Sequence, residues 1–172
     1  MSVSADDWVP AFIGLGSNLC DPRQQVELAI DSLGQIRDCR LVSRSSLYES
    51  DPMGPNNQPQ YVNAVVGLMT RLSARDLLTA MQRIEDAHDR DRTVGRWGPR
   101  TLDLDLLLFG DQHSDDPELI LPHPGLTERN FVVYPLAQIA PDLVLPDGTS
   151  IVQLTHRLGM KGLKELKDVE FQ

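Results

Sequence analysis

The chain has 172 residues, 41% hydrophobic and 24% charged, the size and mixture of one ordinary globular domain able to bury a real core. Its net charge of −9 repels polyanions and so argues against general nucleic-acid or anionic-membrane binding. Met1 to Val9 holds Asp6 and Asp7 but no basic segment followed by an apolar one, so it does not read as a secretory signal, and no stretch is long enough to span a bilayer.

From Ala11 to Gly16 an apolar run ends in Gly-Ser-Asn, and Asp21 and Pro22 then supply an N-cap and a first-turn residue for a helix carrying Val26, Ile30 and Leu33. Gly14 and Gly16 are expected to permit a tight strand exit. Cys20 and Cys39 lack CxxC spacing or a His pair, which favours reduced thiols in a cytoplasmic protein over zinc or redox sites. Cys39 to Ser50 alternates as a strand does, and the prolines and glycine from Pro52 to Pro59 make a loop. A second strand runs from Tyr61 to Leu72. Ser73 and Asp76 resemble a capping box for a helix with Leu77, Leu78, Met81 and Ile84 on one face, reaching about Asp89. An arginine-rich stretch leads to a strand from Leu102 to Phe109. Loop residues dominate from Gly110 to Pro122, Leu126 to Ala140 is partly helical with an interruption at Pro135, and Ile151 to Gln172 reads as a terminal helix and tail. This β-α-β-β-α-β order predicts a single α+β domain over residues 1–172, with helices packed on a mostly antiparallel sheet.

In Leu102-Asp103-Leu104-Asp105-Leu106 the period of two puts both carboxylates on one strand face and the leucines on the other, with the aspartate Cα atoms roughly 7 Å apart. Hard oxygen ligands so placed suit Mg²⁺, although a solvated strand face carries the same alternation. The neighbours favour the metal. Five of the thirteen arginines lie between Arg83 and Arg100, and Arg96-Trp97-Gly98-Pro99-Arg100-Thr101 runs directly into the acidic strand. Guanidinium forks beside metal-binding carboxylates suit transfer of a phosphorus group from Mg·ATP. Glycine-rich nucleotide motifs are missing: position 19 is Leu where a third glycine would stand, and there is no phosphate-binding P-loop. Tyr61 and Asn63 share a strand face, offering an aromatic plane and an amide to a small flat acceptor. Taken separately, Tyr61 equally suits a core boundary, and His123, Arg129 and Phe131 are unremarkable.

Together these residues resemble the 6-hydroxymethyl-7,8-dihydropterin pyrophosphokinases, folate-pathway enzymes that move a pyrophosphoryl group from ATP to a pterin alcohol. The resemblance runs from Ala11 to about Gly148. It is carried by GLGSN at 14–18, Pro52-x-Gly54 through Gln58 to Tyr61-x-Asn63, Arg83-Ile84-Glu85, RWGPRTLDLDLLLFG at 96–110 and PHPGLTERNFVVYPLAQIAPDLVLPDG at 122–148. Residues 1–9 and 151–172 are then terminal extensions.

The resemblance implies a ferredoxin-like sandwich with extra strands, and two Mg²⁺ ions on Asp103 and Asp105. It implies a pterin between Tyr61 and Phe131, read by Asn63 and by the main chain of Pro52, Met53 and Gly54. It puts Arg90, Arg92, Arg100 and Arg129 on the triphosphate, with Arg90 and Arg92 catalytic, and Gln82, Glu85, Trp97, Leu106 and His123 on the ATP side. His123 and a metal-bound carboxylate are both open as general base. One departure is Asp89, where the family commonly has Gly. The segment from about His88 to Pro99 is expected to close over both substrates. The expected partners are small molecules, with no nucleic acid, no membrane and a monomeric chain. A Mg-dependent phosphohydrolase or nucleotidyltransferase, and a non-catalytic ferredoxin-like binding module, are the rival readings.

Overall fold

The computed structural model describes residues 7–51, 59–88 and 101–167. The chain order is β1 (Val9–Ser17), α1 (Pro22–Gly34), β2 (Cys39–Arg44), β3 (Leu47–Ser50), β4 (Tyr61–Thr70), α2 (Ala74–His88), β5 (Asp103–Phe109), β6 (Ser114–Asp116), β7 (Leu119–Leu121), α3 (Asn130–Ile139), α4 (Ile151–Leu158) and β8 (Leu163–Leu166). The main sheet runs β5-β1-β4-β3-β8, with β2 also on β4, and every described pairing is antiparallel. With β2 and β3 taken as one interrupted strand, this is the ferredoxin-like order that the sequence implies.

Period-two alternation gives the sheet two different faces. Ala11, Ile13, Leu15, Val62, Ala64, Val66 and Leu68 pack with Val26, Ile30 and Leu33 of α1 and Leu77 and Met81 of α2. On the opposite face Val65, Leu107 and Leu108 pack with Val133 and Leu136 of α3 and Ile151 and Leu154 of α4. Both helices of the first layer begin as expected: the Asp21 side chain accepts from Gln24 N, and Ser73 Oγ accepts from Asp76 N at 3.1 Å. On β5 the register moves from Ile13↔Leu106 to Phe12↔Leu108, so Leu107 is an extra residue against β1. That bulge turns Leu107 and Leu108 toward the second layer, after Leu104 and Leu106 have faced the first.

The structure corrects several expectations. Gly110 to Pro122 is not all loop, because Ser114–Asp116 and Leu119–Leu121 form a hairpin. Pro135 does not interrupt α3, which continues to Ile139. A proline there only deprives the Phe131 carbonyl of its i+4 donor, in the first turn of the helix. The segment after Leu158 is not merely a tail: β8 joins β3 with Tyr48 opposite Glu165 and Ser50 opposite Leu163. Among the described residues no helix is long and apolar enough to cross a membrane.

Tyr48 ties this C-terminal addition to the second layer. It is 4% exposed and donates to Gln138 Oε1 on α3 at 3.0 Å. Burial, and then the Glu165 carboxylate, push its phenol up to about 12. A phenol raised above its ordinary value of about 10 binds its proton more tightly in the folded chain. Its contribution to stability is therefore complete below about pH 10 and is lost as the pH climbs toward 12. Urea unfolding followed from about pH 8 to 12 should show this alkaline loss, and Tyr48→Phe should flatten it at a cost of about 1 kcal/mol for the missing hydrogen bond. Equal slopes for both proteins would remove Tyr48 as the cause.

Candidate active site

The register of three neighbouring strands builds the floor of a cleft. Gly16 lies opposite Asn63 on one side and Asp103 on the other, and Gly14 lies opposite Val65 and Asp105. Directly paired residues point to the same face, so Asn63, Gly16 and Asp103 form a row, with Asn63 and Asp103 roughly 10 Å apart at two strand spacings. Gly16 stands one residue before the end of β1 and Gly14 three, so a strand exit accounts for Gly16 at most. Their function here is to leave space. A Cβ on Gly16 would sit 3.3 Å from Asn63 Oδ1, and one on Gly14 would meet the Leu107 side chain at 3.5 Å. The resulting cleft of about 770 Å³ is bounded by Tyr61 and Asn63, by Asp103 and Asp105, and by Arg129 and Phe131 at the start of α3.

Asn63 is 4% exposed and its amide has a fixed orientation. Nδ2 donates to Ser50 Oγ at 2.7 Å and Tyr48 O at 3.4 Å, which turns Oδ1 toward Gly16 and the cleft as an acceptor. Arg129 precedes α3, and its guanidinium carbon stands 6.0 Å from the Phe131 ring centroid. The guanidinium lies over Gly125, where a Cβ would be 2.6 Å from Cζ and Nε, so the absence of a side chain there lets the arginine take this position. Ser50, Gly125 and the floor glycines were missed as site residues by the sequence reading. Two glycines on the same strand parity beside an Asp-x-Asp strand were the only available signal.

Asp105 also borders a second cavity, of about 580 Å³, on the outer side of β5 with Leu104, Leu106, Ile120 and His123. As the sheet's edge strand, β5 presents main-chain groups on this side. Leu104 N donates to Glu85 Oε2 at 2.9 Å, and Leu107 O accepts from His123 N at 3.0 Å. Glu85 therefore holds the acidic strand against α2. Leu106 is 4% exposed with its side chain in the core, so it can meet a ligand only through its main chain. Gln82 is exposed on α2, one turn before Glu85.

His123 Nδ1 accepts from Gly125 N at 3.0 Å, and Nε2 stands 3.6 Å from Asp105 Oδ1. That bond assigns the proton of the neutral ring to Nε2, so the ring presents a donor toward Asp105 and the cavity, which argues against His123 as general base. Pro52, Met53, Gly54, Arg90, Arg92, Trp97 and Arg100, with nearly all of the segment expected to close, lie outside the described residues. Those that are described converge on the two cavities that share Asp105, except Gln82 and Glu85, which line neither; Glu85 reaches the site through its bond to Leu104 N.

Residues 12–141 match the family model of 7,8-dihydro-6-hydroxymethylpterin-pyrophosphokinase (HPPK). The chain belongs to this family. It is 49% identical over 155 residues to the 2-amino-4-hydroxy-6-hydroxymethyldihydropteridine pyrophosphokinase of Pseudomonas aeruginosa, covering 90% of this chain and 95% of that protein. It is 46% identical over 149 residues to the enzyme of the same name from Haemophilus influenzae, covering 87% and 92%. Among solved structures, a Plasmodium falciparum HPPK-DHPS with pterin and p-hydroxybenzoate superposes with a TM-score of 0.72 over 92% of this chain. This chain spans 47% of that one at 13% identity, so the likeness speaks to the fold alone.

The tautomer of His123 can be read directly by long-range ¹H–¹⁵N NMR of the imidazole. In its neutral form, His123 should show a protonated Nε2 and an acceptor Nδ1. A protonated Nδ1 would contradict the Gly125 contact and restore the ring as a candidate base.

Proposed function

We propose that the chain transfers pyrophosphate from ATP to 6-hydroxymethyl-7,8-dihydropterin in folate biosynthesis, giving the pterin diphosphate and AMP. The observation that carries this reading is that Asp105 borders two cavities, one bounded by Asn63, Tyr61 and Phe131 and the other by His123 and the open edge of β5. Two substrates bound in them would meet at Asp103 and Asp105. A pterin carries its amino-pyrimidinone edge at one end and the hydroxymethyl group at the other. With the inward-turned Asn63 Oδ1 accepting from that edge, the hydroxyl would lie toward the carboxylates roughly 10 Å away, two strand spacings across the floor. Tyr61 and Phe131 would flank the ring, and the main chain of Pro52, Met53 and Gly54 would complete the reading of its edge.

ATP would occupy the outer cavity, with Gln82, Glu85, Trp97 and Leu106 on its side. Arg129 would reach the phosphates, as would Arg90, Arg92 and Arg100 from the arginine-rich segment, and His123 would donate from Nε2. The acceptor hydroxyl oxygen attacks the β-phosphorus in line, and the bond from that phosphorus to the α,β-bridging oxygen breaks so that AMP leaves. The hydroxyl proton passes to a carboxylate oxygen of Asp103 or Asp105 and on to solvent; Arg90 and Arg92 offset charge as it moves. The donor set on this strand face is two carboxylates and no sulfur, which fits a hard cation, and Asp103 and Asp105 would hold two Mg²⁺. When bound, Mg²⁺ would neutralise the phosphates and fix their geometry. The whole chain is taken as one catalytic domain, active as a monomer. A cytoplasmic setting fits the two free thiols.

Formation of AMP together with the pterin diphosphate from ATP, Mg²⁺ and the hydroxymethylpterin tests the reaction class, and ADP with inorganic phosphate, or AMP with free pyrophosphate, would favour a hydrolase. Asp103→Asn or Asp105→Asn should lower kcat at least ~100-fold, about 2.7 kcal/mol at the transition state, with the fold retained. Wild-type turnover of either variant at saturating Mg²⁺ would refute the metal assignment.

Phe131→Ala should weaken pterin binding by ~1–3 kcal/mol, as loss of an aromatic stacking face does, with ATP binding nearly unchanged. If calorimetry shows equal losses for both ligands, Phe131 is a packing residue and not a stacking one.

A further inference from the structure

We infer that the turn Gly159–Gly162 is a strut that sets the spacing between the two walls of the acceptor cleft, with Asn130 and Gly162 as its positioning residues. The inference rests on the placement of the acceptor between Phe131 and Asn63 given above. The turn lies beyond residues 12–141, the span matched by the family model, and its role comes from contacts at both of its ends.

At one end the turn is fixed to α3. The single amide nitrogen of Asn130 donates to Gly159 O at 3.1 Å and to Lys161 O at 3.0 Å, using both of its hydrogens. Asn130 is the first residue of α3 and stands between Arg129 and Phe131, both of which bound the cleft. At the other end the turn is fixed to the end of β3. Asp51 N donates to Gly162 O at 3.1 Å, and the ladder continues through Ser50 opposite Leu163. Ser50 Oγ is the acceptor that orients the Asn63 amide. The turn thus links the Phe131 wall, through the Asn130 side-chain amide, to the Asn63 wall, through main-chain bonds, with little freedom to stretch.

Its backbone is specified as well as its contacts. Gly159 caps α4 at φ 67° and Gly162 has φ 75°, a region costly for other residues. A Cβ on Gly162 would also come within 2.9 Å of Asp51 Oδ2, whose partner oxygen accepts from Gln60 Nε2 at 3.0 Å. A hollow lined by Lys161 and Gly162 opens beside the acceptor cleft and shares Ser50, Asp51, Arg129 and Phe131 with it. A displaced turn therefore has space to move and would take a cleft wall with it.

The test uses the full chain with Asn130→Ala, Asn130→Asp and Gly162→Ala, measuring kcat, KM for the pterin, and calorimetric binding of a non-hydrolysable ATP analogue. Asn130→Asp keeps the shape and removes both donors. Each variant should raise the pterin KM about tenfold, leave ATP-analogue binding within about twofold and keep kcat at saturation within about threefold. Melting temperature and circular dichroism report whether a variant is folded, and Gly162→Ala decides alone if the Asn130 variants are not. An unchanged pterin KM in folded Asn130→Asp and Gly162→Ala overturns the strut, as does an equal loss of both ligands. Wild-type titrations separate the two ideas: a wild type that does not bind the pterin removes the cleft assignment itself, whereas wild-type binding with unaltered variants removes only the strut.

Discussion

The structure depends on the alternation of side chains along β1, β4 and the first half of β5, up to its bulge, because the same strands must bury a core on one face and leave a floor on the other. On β1, Ala11, Ile13 and Leu15 point into the core beneath α1 and α2, while Gly14 and Gly16 point the other way. Any side chain at the two glycines would enter the cleft, and a one-residue slip of register would bury Asp103 and Asp105 and expose their leucine neighbours. The apolar face fixes the register. Burying Ile13, Val66, Leu68, Leu104 and Leu106 stabilises the sheet by roughly 1.5–3 kcal/mol for each large side chain, so the polar row is held by side chains that face the core and not the cleft.

The cleft exists where the second layer stops. α3 and α4 cover Val65, Leu107 and Leu108, and the β5 bulge supplies two of those three contacts from adjacent residues. Beyond Phe131 that layer gives way to the floor of glycines, Asn63 and the aspartates. The open end is not left to one helix terminus. Gln138 accepts from Ser46 N and Tyr48, Asn130 holds the turn after α4, and β8 extends the sheet beyond β3. α3 is thereby held at both ends, by Gln138 near its C-terminus and by Asn130 at its start, where Arg129 and Phe131 bound the cleft.

Much of this was legible because strong local signals agree with the tertiary outcome. Asp21-Pro22 and Ser73 mark helix starts, and the leucine–aspartate alternation puts Asp103 and Asp105 on one face as observed. What was not legible is set by long-range pairing. β8 has four residues, and the β6–β7 hairpin has three on each side, too few to show a period; they are strands because an open edge or a partner is nearby. The floor glycines read as punctuation because a glycine's missing side chain acquires meaning only beside Asn63 and Leu107. Tyr61, Asn63, Arg129 and Phe131, distant in sequence and individually ordinary, bound one cleft because β4 and the start of α3 meet there.

The charge distribution follows from the same geometry. A protein of net charge −9 that places two carboxylates at the meeting point of its cavities would repel a polyphosphate at close range. At physiological ionic strength, exposed charges beyond about 8 Å are largely screened, so the overall charge matters less to a bound phosphate than the groups beside it. Those groups must then supply the compensation locally. Arg129 is the described cation placed to do so, bounding the cleft where Gly125 leaves its guanidinium room to lie. His123 adds a neutral donor, because its acceptor nitrogen is already committed to Gly125 N. The concentration of arginines between Arg83 and Arg100, immediately before the acidic strand in the sequence, would meet such a local requirement under the proposed function in an otherwise acidic chain. Cations spread evenly over the surface would have lowered the net charge without offsetting the aspartates at the one place where a polyphosphate has to approach them.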